Sequence, residues 1–346
     1  MARVVVTGGA GFVGSRLVRR LVERGDEVVV VDAASGIRAL EGIDTAVVPV
    51  DVRDRDRLAR TINQGVDLVY HLAAVVGVDQ YLACPLDVID VNFTGTRNVL
   101  ELAARADARV VVASTSEVFG KNSAVPWSEE ADRVLGPTAA DRWSYATSKA
   151  LAEHLTLAFG RRHGLAATIV RYFNAYGPGQ RPAYVVSRSI HRALNGKPLV
   201  VYDGGKQTRC FTYVEDIVDG TLCAADDEKA VGETFNLGSM VETTVREVVT
   251  EIGELCGFDG ELVPIDTAER LSPGYQDLQR RIPDTAKAAA LLNWTAATTL
   301  RDGLARTIAW ARNNPWWLAL ADSGASARPA DDRPADDRPG GERRAS

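Results

Sequence analysis

The stretch TGGAGFVGSRL, Thr7–Leu17, follows the apolar run RVVVT (Arg3–Thr7) and opens a segment of helical spacing, Phe12–Glu23. Its glycines Gly8, Gly11 and Gly14 are spaced G-x-x-G-x-x-G. Glycine at such positions permits a tight strand-to-helix turn, close packing of helix on strand, and approach of backbone N–H groups to a pyrophosphate. The N–H groups around Gly11, Phe12 and Val13 are the candidates for that contact. A glycine triplet alone is a weak signal. Here a strand precedes it, a helix follows, and a carboxylate, Asp32, ends the next apolar run, EVVVVD (Glu27–Asp32). That context fits a dinucleotide site. Asp32 would accept hydrogen bonds from the adenosine ribose and repel a 2′-phosphate, which favours NAD over NADP; Arg38, close by in sequence, is the opposing feature.

Working outward, the runs AVVPV (Ala46–Val50), DLVYHL (Asp67–Leu72), RVVVAS (Arg109–Ser114) and ATIVR (Ala167–Arg171) are further strands. Runs so uniformly apolar belong to a parallel sheet covered on both faces. Helical spacing recurs over Leu86–Arg105 and Tyr145–Arg162. The alternation predicts an α/β fold, a Rossmann-like doubly wound parallel sheet, over residues 1–171. Asp51 and Val52 would edge the adenine. Leu72, Ala73 and Ala74 would let the cofactor pass the fourth strand, where His71 reads as a packed residue rather than a catalyst. Beyond Arg171, turns such as YGPGQRP and shorter helices (Thr244–Cys256, Leu300–Asn313) predict a smaller substrate lobe over 172–320, with segments returning to the sheet. The tandem ADDRP repeat in 321–346 has no large apolar side chain and predicts a disordered tail.

Composition narrows the function classes. The chain has 346 residues and a net charge of −6, which argues against nucleic-acid or anionic-membrane partners. No apolar run approaches the roughly 20 residues that span a bilayer. The four cysteines lie far apart without a CxxC pair, so they read as reduced thiols, mostly buried, and no metal is expected. The chain opens on a strand rather than a leader peptide, and a cytoplasmic location is expected.

RWSYATSK places Tyr145 and Lys149 four residues apart, on one helix face. Free tyrosine titrates near 10. A neighbouring ammonium and an oxidised nicotinamide both favour the phenolate, and bringing it to neutrality needs roughly 4 kcal/mol, within reach of two positive charges in a dry site. Such a phenolate takes the proton from a sugar hydroxyl as the carbon gives up hydride. The run ASTSEVFG (Ala113–Gly120) places three hydroxyls and a carboxylate, Glu117, at the end of the fifth strand.

With TGGAGFVG, HLAA, STSEVFG, YATSK, RYFNAYGP, GGKQTRCFTYVEDIVDG and FNLGS, the chain resembles the extended short-chain dehydrogenases of the NAD-dependent epimerase and dehydratase group over about Arg3–Asn314. Thr115, Ser116 and Glu117, QYLACP with Tyr81, and PGYQDLQRRIPD resemble the UDP-glucuronate decarboxylases in particular. The resemblance implies bound NAD, a nucleoside-diphosphate sugar (UDP-glucuronate) and a homodimer built through Leu86–Arg105 and Tyr145–Arg162. It also implies roles for residues. Tyr145 with Lys149 would take the C4 hydroxyl proton, and Thr115 would bond the same oxygen. Ser116 would orient the sugar carboxylate, and Glu117 would repel it or position a water or proton. Arg281 would protonate C5 or grip the diphosphate; Tyr81, Asn174, Lys206 and Arg209 would contact sugar or diphosphate. CO2 would leave from the 4-ketone, giving a 4-keto pentose or, after reduction, UDP-xylose. The alternatives are a UDP-glucuronate or UDP-hexose 4-epimerase, which needs the same Tyr145, Lys149 and Thr115, and a non-catalytic NAD-binding regulator.

Overall fold

In the computed structural model, residues 1–33, 38–77, 80, 83–266 and 278–322 are described. Seven strands form one sheet: β1 (Arg3–Thr7), β2 (Glu27–Asp32), β3 (Ala46–Pro49), β4 (Leu68–His71), β5 (Arg109–Thr115), β6 (Ala167–Tyr172) and β7 (Thr234–Leu237). Their order is β7-β6-β5-β4-β1-β2-β3, and every pairing is parallel. Val5 lies between Val29 of β2 and Val69 of β4. The chain builds outward from β1 to β3 and then crosses back to β4, so the switch point lies between β1 and β4. In open α/β sheets the crevice at that point, beyond the strand C-termini, receives ligands.

The strands are apolar throughout because both faces are covered. Val4 and Val6 pack with Leu17 and Leu21 of helix α1 (Phe12–Glu23) on one side, while Val5 packs with Val99 and Leu100 on the other. β1 and β2 have the limits expected of them. β3 stops at Pro49, which has no N–H to give and sits at the sheet edge.

The helix expected over Leu86–Arg105 is interrupted. α2 (Pro85–Asp90) and α3 (Thr96–Ala106) are joined by a π-helical turn, Val91–Gly95. Gly95 packs on Val52 so closely that a Cβ there would come within 2.4 Å of Val52 Cγ2. In the widened turn Asn92 is buried, accepting from Val75 N at 2.9 Å and donating to Ser148 Oγ at 3.2 Å. Helix α4 (Arg142–His163) starts three residues earlier than expected, which puts Arg142 on the same helix as Tyr145.

The second half builds its own core around Tyr176, Ile190, Val248, Leu304 and Trp317. The helices there are α5 (Val185–Leu194), α6 (Val214–Asp226), α7 (Val245–Cys256), α8 (Leu300–Arg312) and α9 (Pro315–Leu318). Thr244, expected inside α7, is its N-cap, and with Glu247 it closes a capping box. β7 then comes from this half and pairs with β6, Thr234 opposite Ile169.

All four cysteines are free; Cys210 is fully buried, Cys223 and Cys256 are partly buried and pack against the two cores, and Cys84 is partly exposed. Among the described residues no helix is long and apolar enough to cross a membrane. Of the expected tail 321–346, only the first two residues are described, and Asp322 Oδ2 accepts from Arg192 Nη1 at 2.5 Å.

Candidate active site

The C-terminal ends of the strands open into a cleft of about 1270 Å³. That exceeds the usual room for one small ligand and suits a dinucleotide beside a second substrate. The glycine turn forms one end. Gly8 has φ +71°, and a Cβ on it would lie 2.6 Å from Ala73 N. A Cβ on Gly14 would lie 2.2 Å from Gly8 O. The backbone cradle therefore exists only with glycine at these two positions. Asp32 Oδ2 accepts from Ala10 N at 3.0 Å, which fixes the carboxylate beside the turn. Asp51 is held by Arg53 (Nη2 to Oδ2, 2.7 Å), whose hydrogen bonds outweigh burial and lower its carboxyl below the ordinary value. Gly8, Gly11, Phe12, Val13, Gly14, Asp32, Asp51, Val52, Leu72, Ala73 and Ala74 all line this one cleft, as does Arg38. The cradle and the carboxylate fixed beside it fit NAD.

The other end is built by β5 and α4. The three hydroxyls of ASTSEVFG do different work. Ser114 Oγ donates to Glu153 Oε1 at 2.5 Å, and Arg171 grips the same carboxylate with Nε at 2.9 Å and Nη2 at 2.8 Å. This buried triad anchors the strand end to α4. Thr115 Oγ1 accepts from Glu117 N at 3.2 Å and is hydrogen-bonded to Tyr145. Ser116 is almost wholly buried yet contributes to the cleft wall.

Lys149 Nζ donates to Ala113 O at 2.8 Å. Burial lowers its ammonium to about 8, with Glu153 pulling the other way. Burial pushes the Tyr145 phenol well above its ordinary value and the Glu117 charge adds to this, while Thr115 and Arg281 oppose. His71 is a packing residue, hydrogen-bonded with Thr7 Oγ1 at 2.7 Å and Thr96 Oγ1 at 3.0 Å, and burial lowers its imidazole to about 3.

Glu117 meets two guanidiniums, Arg142 Nη1 at Oε2 and Arg281 Nη1 at Oε1, the latter at 3.3 Å. Burial opposes the charged carboxylate, but the two arginines prevail and hold its carboxyl down to about 2. Two guanidiniums and one carboxylate leave the cluster with one net positive charge. Arg281 Nε is buried with no hydrogen-bond partner among the described residues.

Of the remaining candidates, Asn174 lines the cleft in a left-handed backbone conformation, φ 40°. Lys206 is exposed and Arg209 is buried with Nη1 on its neighbour's carbonyl, Thr208 O, at 2.7 Å; neither is on the described cleft wall. Tyr81 lies outside the described residues. Arg142, Glu153 and Arg171 were absent from the expected set. Arg142 carried a usable signal, three residues before Tyr145 and hence on its helix face. The Glu153–Arg171 pair had none, since it joins a helix to a strand 18 residues on.

The model of the NAD dependent epimerase/dehydratase family matches residues 4–238. The chain is 40% identical over 318 residues to the UDP-N-acetyl-alpha-D-glucosaminuronate decarboxylase of Bacillus cytotoxicus, covering 90% of this chain and 98% of that one. It is 37% identical to UDP-glucuronic acid decarboxylase 1 of Arabidopsis thaliana, covering 90% and 70%. The crystal structure of UDP-glucuronic acid 4-epimerase from Bacillus cereus, in complex with UDP-glucuronic acid and NAD, superposes with a TM-score of 0.80 at 27% identity, covering 90% and 99%. With a parallel sheet, a glycine cradle and a Tyr145–Lys149 pair at one cleft, the chain belongs to the NAD-dependent epimerase/dehydratase family.

Proposed function

We propose that this protein is an NAD-dependent lyase that removes CO2 from a UDP-hexuronate, with UDP-glucuronate as the substrate. The observation that carries this is the Glu117–Arg142–Arg281 cluster at the end of β5. It sets one net positive charge beside Tyr145, where a sugar with a carboxylate at C6 is attracted and a neutral hexose gains nothing. The decarboxylases among the relatives support the reading.

NAD, when bound, supplies the hydride acceptor at C4 and the donor for any later reduction. Tyr145 removes the C4 hydroxyl proton, with Lys149 stabilising the phenolate and Thr115 bonding the same oxygen. A C4 ketone is β to the C6 carboxylate, so the C5–C6 electron pair passes toward the carbonyl oxygen as CO2 leaves. Ser116 orients the carboxylate. Glu117 holds Arg281 toward the sugar in place of the like-charge repulsion first expected. Arg281 belongs to the reacting end, since its charge favours the Tyr145 phenolate; this supports protonation at C5 over the diphosphate role. Asn174 contacts the sugar, while Lys206 and Arg209 need a rearrangement to reach it.

Residues 1–171 are assigned to the cofactor and 172–320 to the sugar nucleotide. Exposed Leu86, Ile89 and Leu151 on α2 and α4 support a homodimer through these helices; the proposed location is the cytoplasm.

The test is incubation with UDP-glucuronate and measurement of product mass. Loss of one CO2 is expected; unchanged mass with an altered stereocentre would establish the 4-epimerase instead. The 40% identity to a decarboxylase of the acetamido sugar favours a second reading, in which the C2 substituent is N-acetyl. Running UDP-N-acetylglucosaminuronate in parallel decides between them by relative kcat/KM.

A further inference from the structure

The cleft has a wall that the cofactor assignments above do not use. Trp310, Asn314 and Trp316, from α8 and α9 at the far end of the sequence, line it together with Arg19 and Arg38. The hairpin that carries them is anchored in the second core. Trp317 is buried, its ring 5.2 Å from His191 and its indole N–H donating to Gln180 O at 2.8 Å. Trp310 packs edge-on against both Trp316 and Trp317, at 5.9 and 5.8 Å.

Trp316 differs from its neighbours in being 37% exposed. Its indole N–H is satisfied locally by Asn314 Oδ1 at 3.0 Å, which fixes the ring without using its faces. One face receives the Arg38 guanidinium, with Cζ 5.2 Å from the ring centre. Arg38 in turn belongs to the segment after β2, the strand that ends in Asp32. An oriented aromatic ring and a stacked cation therefore line the same cleft as Asp32, the carboxylate read as the ribose ligand. A flat apolar face at the mouth of a polar dinucleotide site suits stacking on a base.

We infer that Trp316, with Arg38 stacked on it, closes over the adenosine half of bound NAD, so that the hairpin of the sugar lobe is part of the cofactor site. The inference rests on NAD occupying the glycine cradle. Cofactor release then requires the hairpin to move, which ties NAD retention to the lobe that binds the sugar nucleotide.

The experiment compares wild type, Trp316→Ala, Trp316→Phe and Arg38→Ala as full-length proteins loaded with NADH. Energy transfer from tryptophan to NADH reports binding, and its decay on adding excess NAD gives the release rate. Trp316→Ala is expected to release NADH roughly tenfold faster, the size of one base–ring stack. Arg38→Ala should move the same way by a smaller factor, and Trp316→Phe should stay within about threefold of wild type because the ring remains. Calorimetric affinity for UDP should be unchanged in all four. A release rate for Trp316→Ala within twofold of wild type overturns the proposal, as does an equal loss of UDP affinity, which would mark general damage to the lobe. Wild type failing to hold NADH would overturn the cofactor reading itself.

Discussion

Arg281 Nη1 lies 3.3 Å from Glu117 Oε1 although 164 residues separate them. The contact joins a turn in the second half of the chain to the end of β5, and Arg142 of α4 completes it from the other side. The acid that stands out among the hydroxyls of ASTSEVFG is thus half of an ion-pair cluster rather than a lone charge facing the sugar.

Glu117→Gln is therefore expected to release both guanidiniums from their shared partner and misplace Arg281. CO2 release from UDP-glucuronate should slow by about 10²–10³-fold, the scale of losing one preorganised electrostatic partner. The hydrogen bonds of Glu117 run to Arg142, Arg281 and Thr115 rather than to the glycine turn, so NAD content should match wild type. An unchanged rate of CO2 release would remove Glu117 from the chemistry.

The same pair sets a stability signature. The Glu117 carboxyl is held at about 2 in the fold against an ordinary 4.5. A lowered folded-state value contributes stability above the unfolded value, lost as pH falls through the folded one. Wild type should exceed Glu117→Gln by on the order of 3 kcal/mol at pH 7, with the gap closing between about pH 4.5 and pH 2. Urea unfolding at pH 7, 4 and 3 checks this; a gap constant with pH would contradict it.

Tyr145→Phe should cost about 10²–10⁴ in kcat, since the base is gone while the ring still packs. In the fold, burial and Glu117 both oppose the phenolate while Thr115 and Arg281 favour it, and the role proposed for Lys149 is to add a further cation against that opposition. Removing that cation by Lys149→Ala should move the ascending limb of kcat against pH upward by about one unit or more. A limb that stays in place would show that Lys149 does not support the base.

Gly14→Ala would bring a methyl carbon within 2.2 Å of Gly8 O, a backbone atom that cannot step aside without opening the turn. Loss of bound NAD and a stability decrease of about 1–3 kcal/mol are expected. Cofactor content after gel filtration and the thermal midpoint measure the two effects.

Glu153→Gln breaks a buried pair and leaves Arg171 uncompensated, for an expected loss of about 3–5 kcal/mol in denaturant unfolding. A cost below 1 kcal/mol would mean that the triad with Ser114 does not anchor the strand end.

The cofactor half was legible in the sequence because its signals are local. Apolar runs such as RVVVT and EVVVVD and the glycine turn between them need only near neighbours to be read. Tyr145 and Lys149 share a helix and were legible for the same reason. What escaped was contact between distant segments. Nothing near Glu117 in sequence announces Arg281, and the π-helical turn before α3 depends on Val52, some 40 residues earlier. Lys206 and Arg209 were placed by motif alone. Arg209 sits in a two-residue strand paired antiparallel with Thr243–Thr244, a pairing that local pattern does not reveal.

β7 has a further consequence for how the protein can be cut or recombined. It arises from the second half of the chain yet completes the sheet of the first, with Ile169 and Val170 of β6 paired to Thr234 and Phe235. A fragment ending at residue 171 would present β6 as a bare edge, with unpaired backbone groups inviting another molecule to add a strand. The two halves thus form one folding unit. A graft that exchanges the sugar lobe between relatives has to leave 234–237 behind or make its junctions on either side of it.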